Sequence, residues 1–408
     1  MRENTPPQSP YGLEPEDEDD EELIYVGDAD EVLDQWENEA YDGDSDEANE
    51  EELDEACGSS SRRQPVRDDA ILTFKKHTAP LFCGALHPTE DLAVTGGEDD
   101  KAYVWDTKTG EVKFEVTNHS DSIIGVGFSY DGTFVATGDI SGHIQVFKVS
   151  QNYRKVWEFT VGDMCGLRWH GAAHVLLAGT ESGEVYVWRI PSGDCKVLQG
   201  HGTKCETIEL THDGKKLAAG YGDGHFKLWD LKTNATVMEV PPSAGHSANI
   251  TSLGIDHDNQ LFVTGGEDGS TLIVGTNGVL GTLTAPSEES VEAVLLDYPD
   301  FELKIAATGT LAGKVTIWDI PRQAKRVECI DENPTGITRM MWLKDYMVCA
   351  GTLGGLVKGW DVRSGAMRFT LSGHTDDVQH IAYNKEKNII LSVSEDTTAK
   401  IFEVPSAV

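Results

Sequence analysis

"GGEDDKAYVWDTKTGE", residues 96–111, joins a glycine pair, a run of acids, an alternating segment and a Trp-Asp. Ala102 and Val104 alternate with Lys101 and Tyr103, the period of two that belongs to a strand. Taken alone, Asp99 and Asp100 beside glycines would suit a cation site, a catalytic loop or a tight turn. Recurrence along the chain separates these readings.

Positions equivalent to Trp105 stand at Phe147, Trp188, Trp229, Val274, Trp318, Trp360 and Phe402, at steps of 42, 41, 41, 45, 44, 42 and 42. Five residues before each anchor comes Asp100, Gly142, Gly183, Gly224, Gly269, Gly313, Gly355 or Thr397, mostly glycine as a tight turn requires. Alternating runs such as "HIQVF", "EVYVW", "HFKLW" and "KVTIW" follow those turns and read as strands. No long helical pattern intervenes. A period of about 40 to 45 residues built from short strands ending in Trp-Asp is that of propeller blades.

The chain from residue 70 onward therefore resembles the WD-repeat family, with eight units. Trp-Asp stands at 105–106, 229–230, 318–319 and 360–361; the third unit has Trp-Arg, the second and eighth have Phe, and "IVGT" makes the fifth the weakest copy. The expected fold is all-β: an eight-bladed WD-repeat propeller over 67–408, preceded by an acidic tail over 1–66. In that family each repeat supplies the outer strand of the preceding blade, so the resemblance implies that "AILTFKK" (70–76) pairs with "AKIFEV" (399–404), without which two sheet edges would stay open.

A second periodicity concerns the acids. His77, His201, His246 and His374 precede four of the units, each with an aspartate 22 residues later: Asp99, Asp223, Asp268 and Asp396. Units 3, 6 and 7 lack the histidine and carry Ser182, Ala312 or Gly354 at the matching position; unit 2 is partial, His119 with Ser141. Residues that come and go together are expected to touch. In the family pattern the histidine enters a blade and the aspartate sits in the next turn on the same face. A hydrogen bond from His77 to Asp99, continued through Thr95 to Trp105, would fix that turn. These residues are read as structural acceptors and donors.

Composition bounds the function. The 408 residues carry a formal net charge of −37. Residues 1–60 hold 24 acids against one base, Arg2, which leaves 46 acids and 32 bases beyond them. Such a leader buries too little apolar surface to offset ordering entropy, so disorder is expected. Its islands "ELIYV" (22–26) and "EVLDQWENE" (31–39) leave a docking motif open beside a solubilising role. An acidic chain repels phosphate backbones, so direct nucleic-acid binding is not expected and basic proteins are the natural partners. Seven cysteines without a CxxC pair read as reduced thiols and not as a zinc site. No apolar stretch approaches the roughly 20 residues of a membrane span. The expected setting is the cytosol, with the nucleus as a second compartment, and the expected state is a monomer without membrane insertion.

Fragments that imitate catalytic motifs read as repeat turns. "GYGDG" (220–224) leads into a strand, not a helix N-terminus, and "GTLAGKVT" (309–316) is one residue short of a P-loop. Ser392, His374 and Asp396 resemble a triad but have no oxyanion-hole motif beside them. "DEDDEEL" (17–23) lacks the spacing of a calcium loop. No enzyme, cofactor or metal is expected.

What remains is surface. The face that receives the histidine loops and aspartate turns is expected to carry Glu98, Asp100, Asp121, Asp139, Asp163, Glu181, Glu267, Asp376, Asp377 and Glu395, interrupted locally by Lys101 and Lys204. Ten acids around one ring read as a docking face for Lys/Arg-rich segments.

"LAVTGGEDDKAYVWD" (92–106), "FVATGDISGHIQVF" (134–147) and "VLLAGTESGEVYVWRIPSGDCKVLQG" (175–200), with the acidic leader, are similar to the angio-associated migratory cell protein family, acidic WD-repeat proteins of animals. That family is similar in turn to a fungal eight-bladed chaperone that holds a basic large-subunit ribosomal protein until delivery to the pre-60S particle. The resemblance implies the same kind of client here. A general scaffold in signalling, cell migration or angiogenesis is the alternative. Family labels also mention heparin binding, which a charge of −37 opposes.

Overall fold

Each period of the repeat folds as four short antiparallel strands, and eight such sheets succeed one another along the chain. The computed structural model describes residues 67–298 and 304–405, all within one unit, Ser61–Val408. The acidic leader, with both of its apolar islands, lies outside the described residues. Blade 1 runs Leu81–Leu86, Leu92–Gly97, Ala102–Asp106 and Val112–Val116 from its inner strand outward. Blades 2 to 7 repeat this order over 123–160, 164–198, 205–240, 250–284, 291–328 and 337–371. The innermost strands of consecutive blades neighbour one another around a central axis, and that of blade 8 closes on that of blade 1.

Blade 8 is a composite. Its outer strand is Leu72–Phe74, which pairs with Ala399–Glu403 in the register Leu72 to Ile401, Thr73 to Lys400 and Phe74 to Ala399. This is the closure expected from "AILTFKK" and "AKIFEV". Side-chain bonds reinforce it. Ser372 N–H donates to Asp69 at 2.8 Å, and Lys400 Nζ donates to Asp68 at 2.8 Å. Closure removes the free edges that an open array would present.

The anchors occupy one register. Trp105 pairs with Ala93, Phe147 with Val135, Trp188 with Leu176, Val274 with Phe262 and Phe402 with Ile390, each in the third strand of its blade. Second strands such as "LAVTGG" and "FVATGD" are buried at every residue, because each sheet is covered on both faces by its neighbours. The apolar clusters accordingly lie between blades; one joins Phe74, Leu391 and Ile401 of blade 8 to Leu81 and Trp105 of blade 1.

All eight turn positions five residues before the anchors adopt left-handed backbone, from φ 56° at Asp100 to φ 92° at Gly183. Glycine has no Cβ penalty there, and a Cβ on Gly142 would also lie 2.1 Å from the carbonyl oxygen of Gly162. Every inner strand carries a register shift near its start, such as that between Leu81 and Cys83, as a bulge does where a strand leaves a loop.

Candidate protein-binding face

The loops that enter the blades and the turns that join second to third strands are tied by one recurring backbone bond. Glu98 N–H donates to Pro80, Ile140 to Ser122, Glu181 to Asp163, Gly222 to Lys204, Glu267 to Asn249, Leu311 to Ser290, Leu353 to Gly336 and Glu395 to Asp377. These eight equivalent positions form one ring on one face. Blades 1, 3, 5 and 8 carry glutamate there, blades 2, 6 and 7 carry Ile140, Leu311 and Leu353, and blade 4 carries Gly222.

Beneath the ring lie the histidine networks. In blade 1, His77 Nδ1 is 3.0 Å from both Asp99 oxygens and Nε2 is 3.0 Å from Thr95 Oγ1, which also accepts from Trp105 Nε1 at 3.2 Å. With Nδ1–H donating and Nε2 accepting from the Thr95 hydroxyl, every polar valence along the relay is used. His246 bridges Asp268 and Thr264, at 3.2 and 2.7 Å, and His374 bridges Asp396 and Ser392, at 2.9 and 2.7 Å. His201 Nε2 meets Asp223 at 2.9 Å, but Ala219 stands where the hydroxyl would be and His201 Nδ1 is buried without a partner. Blades 3 and 6 show what remains without the histidine: Trp188 Nε1 is buried and unpartnered, while Trp318 Nε1 still donates to Thr308 at 2.9 Å.

Blade 2 corrects the expectation. The partner of His119 is Asp139, at 2.8 Å, with Thr137 on the other ring nitrogen at 2.9 Å; Ser141 instead donates to Asp139 at 2.8 Å. Asp139 is fully buried, so it is not a rim charge. It stands at the end of its strand, 20 residues after the histidine, and its neighbour Ile140 takes the rim position. Sequence spacing missed this because the other pairs are 22 apart. A detectable signal was a hydroxyl or imidazole two residues after the acceptor. Ser141, Ser270 and Thr398 all donate to it, and His225 Nδ1 lies 2.8 Å from Asp223.

Electrostatics agree with this geometry. Burial alone would raise Asp396, yet the His374 hydrogen bond and charge, with donations from Thr398 and the Thr375 N–H, hold its carboxyl down at about 2. Asp223 is likewise held at about 2 against burial, through the His225 N–H and both imidazoles. Asp99 and Asp139 are lowered in the same way, while burial pushes His119 and His246 down.

His374, Ser392 and Asp396 do form a triad-like chain, but Ser392 is fully buried and no substrate can reach its hydroxyl. Among the described residues, two groups bring three ligand-type atoms within 4.8 Å of one another: His201, Asp223 and His225, and Asp376, Asp377 and Glu395. Asp223 Oδ2 takes hydrogen bonds from both histidines of the first group. The second is a carboxylate trio on the face, where Gln379 donates to Glu395 at 2.7 Å. The six described cysteines are free thiols.

Of the acids expected on the face, Glu98, Asp163, Glu181 and Glu267 are exposed, and Asp100, Asp121, Asp376, Asp377 and Glu395 are partly exposed. Lys101 is engaged by Glu115 at 2.7 Å, and Lys204 lies 3.4 Å from Glu206 and 3.9 Å from Glu181. Neither lysine offsets the acids of blades 5 and 8. No helix among the described residues is long and apolar enough to cross a membrane.

Known proteins are similar to this chain in sequence and fold. The family model "WD domain, G-beta repeat" matches residues 69–106, 110–148, 193–230, 240–273 and 365–403. Angio-associated migratory cell protein of Homo sapiens is 35% identical over 350 residues, covering 82% of this chain and 80% of that protein. Ribosome assembly protein SQT1 of Saccharomyces cerevisiae is 22% identical over 386 residues, covering 84% and 88%. The crystal structure of Chaetomium thermophilum Sqt1 bound to the N-terminus of the ribosomal protein L10 superposes with a TM-score of 0.74 at 22% identity, covering 83% of this chain and all of that one. With its eight blades and a 35% identical relative matched over most of both lengths, the chain belongs to the WD-repeat propeller family that includes angio-associated migratory cell protein.

Proposed function

We propose that the chain is a non-enzymatic binding protein whose acidic face holds a Lys/Arg-rich segment of a large-subunit ribosomal protein during 60S assembly. The observation that carries this reading is the register of Glu98, Glu181, Glu267 and Glu395, which stand at one equivalent position in four blades, with Asp376 and Asp377 beside Glu395. Carboxylates gathered on one face raise the local concentration of a cationic segment and are neutralised by it. The Sqt1 relative bound to the N-terminus of ribosomal protein L10 supports that class of client. A ribosomal protein before assembly carries cationic surface meant for RNA, and covering it prevents capture by stray polyanions.

In this reading the acids Glu98, Asp100, Asp121, Asp163, Glu181, Glu267, Asp376, Asp377 and Glu395 contact the client. The residues of the histidine networks, His77 to Asp396, hold the turns that present them. The propeller acts from residue 67 onward as a cytoplasmic monomer, also entering the nucleus, without direct nucleic-acid contact. Tagged full-length chain, isolated from growing cells together with the ribosomes translating its client, should enrich one basic large-subunit protein and its messenger RNA. Several stable non-ribosomal partners without that enrichment would favour a scaffold of the kind the migratory-cell name suggests.

A further inference from the structure

The central channel gathers basic groups in an otherwise acidic molecule. Inner-strand residues Cys83, Gly125, Gly166, Thr207, Ser252 and Ala293 share one register position in blades 1 to 6, each opposite a glycine of the second strand. At the same position blades 7 and 8 carry Arg339, opposite Gly351, and His380, opposite Val393. Six small residues thus leave room across the axis from one guanidinium and one imidazole. A cavity of about 490 Å³ results, lined by Arg339, His380 and, two residues further along the strand of blade 3, Arg168. A Cβ added to Gly166 would meet nothing within 4 Å.

Two of the donors there are not spent on the protein. Arg339 has no hydrogen-bond or ion-pair partner among the described residues, and the charges acting on it are Arg168 and Glu209. His380 Nδ1 is buried without a partner. Of the nearby acids, Glu209 pairs with Arg168 at 3.8 Å, and Glu206, which also lines the cavity, lies 3.4 Å from Lys204. Burial pulls Arg339 down to about 10, and burial with the two arginines takes His380 to about 3, so the imidazole is neutral at pH 7. A partly buried guanidinium without a hydrogen-bonded counter-charge is unfavourable, and natural proteins pair such groups.

We propose that this channel is a binding site for a phosphate-type oxoanion, free or carried by a small organic molecule, held by Arg339 and Arg168 with His380 as a hydrogen-bond partner. Guanidinium forks match tetrahedral oxyanions through paired N–H donors, and two of them with an imidazole suit a multivalent anion better than a single carboxylate. Extended polyanions are disfavoured by the net charge of −37, whereas a small anion inside the channel meets the basic cluster directly. This site is independent of the partner held on the acidic face.

The test uses full-length protein dialysed free of phosphate, titrated with inorganic phosphate and with glycerol 3-phosphate, against sodium chloride at matched ionic strength. Binding to the folded state raises Tm saturably. The expected result is a rise with phosphate that chloride does not give, and heat of binding in calorimetry. A stronger response to glycerol 3-phosphate would identify an organic phosphate as the ligand, and an equal or weaker one the free ion. Arg339→Met should abolish the rise while melting no lower than the wild type without phosphate, because it removes an unpaired charge. Arg168→Met, at a partly exposed position, should weaken binding by about threefold or more and serves if Arg339→Met does not fold. No response beyond chloride in the wild type, or an undiminished one in Arg339→Met, overturns the proposal.

Discussion

Phe74 lies flat against Trp105, with ring centroids 4.6 Å apart and planes within 7°. The first belongs to the strand that completes blade 8 and the second to the third strand of blade 1, so one stacked pair joins the two ends of the repeat array. Phe74→Ala should lower stability by about 3–5 kcal/mol, the usual range for a buried aromatic truncated in a core. Deleting residues 67–76 should expose Ala399–Glu403 as an edge and cause aggregation. Urea unfolding and light scattering check both; a monomeric, unweakened deletion would contradict closure through this strand.

Asp139 and Glu98 look alike in sequence and should behave oppositely. Asp139→Ala leaves buried His119 without its acceptor, and should destabilise by about 1–3 kcal/mol. Glu98→Ala, on the exposed rim, should stay within about 0.5 kcal/mol of the wild type. Equal melting of both variants would remove the structural role of Asp139.

Acid should loosen the propeller in a defined window. The Asp396 carboxyl is held near about 2 in the folded chain against 3.8 ordinarily. A depressed acid contributes stability above its unfolded pKa, lost as pH falls through the folded one, here from about pH 4 to about pH 2. The contribution is on the order of 2 kcal/mol. Urea unfolding at stepped pH should therefore fall less steeply over that window in Asp396→Asn than in the wild type; identical slopes would contradict the assignment.

Thr397 is the β-branched member of the eight left-handed turn positions, at φ 68°, where six blades have glycine. Left-handed backbone costs an L-residue about 1–2 kcal/mol, partly offset by the entropy glycine loses on folding. Thr397→Gly should raise stability by about 0.5–1 kcal/mol in urea titration. A loss would show that the threonine side chain holds the turn.

The period of the anchors, the closing strand and most histidine–aspartate pairs were legible because each depends on spacing along the chain. Asp139 was not legible from the 22-residue spacing, since a two-residue displacement turns a rim acid into a buried acceptor; Ser141 two residues on was the signal for it, and the bond from Ile140 to Ser122 shows which neighbour faces out. The ring of ten acids, expected to be interrupted only by Lys101 and Lys204, thus loses Asp139 and also carries Ile140, Leu311 and Leu353 at its equivalent positions. Arg339 and His380 escaped notice because their meeting depends on register across eight blades, and each alone resembles an ordinary strand residue. The apolar islands of the leader, "ELIYV" and "EVLDQWENE", lie outside the described residues.

Binding of a basic ribosomal-protein segment by the rim carboxylates, as proposed, is open to direct measurement. Calorimetric titration of full-length protein with a synthetic N-terminal segment of ribosomal protein L10 tests it, comparing the wild type with a variant in which Glu98, Asp376, Asp377 and Glu395 are all replaced by Lys. Wild-type affinity is expected to fall at least about tenfold between roughly 50 and 300 mM salt, as screening of a multi-charge contact requires. The reversed variant, folded by circular dichroism, is expected to show no binding. A folded variant that binds as the wild type does, or a wild-type affinity indifferent to salt, would contradict the proposal.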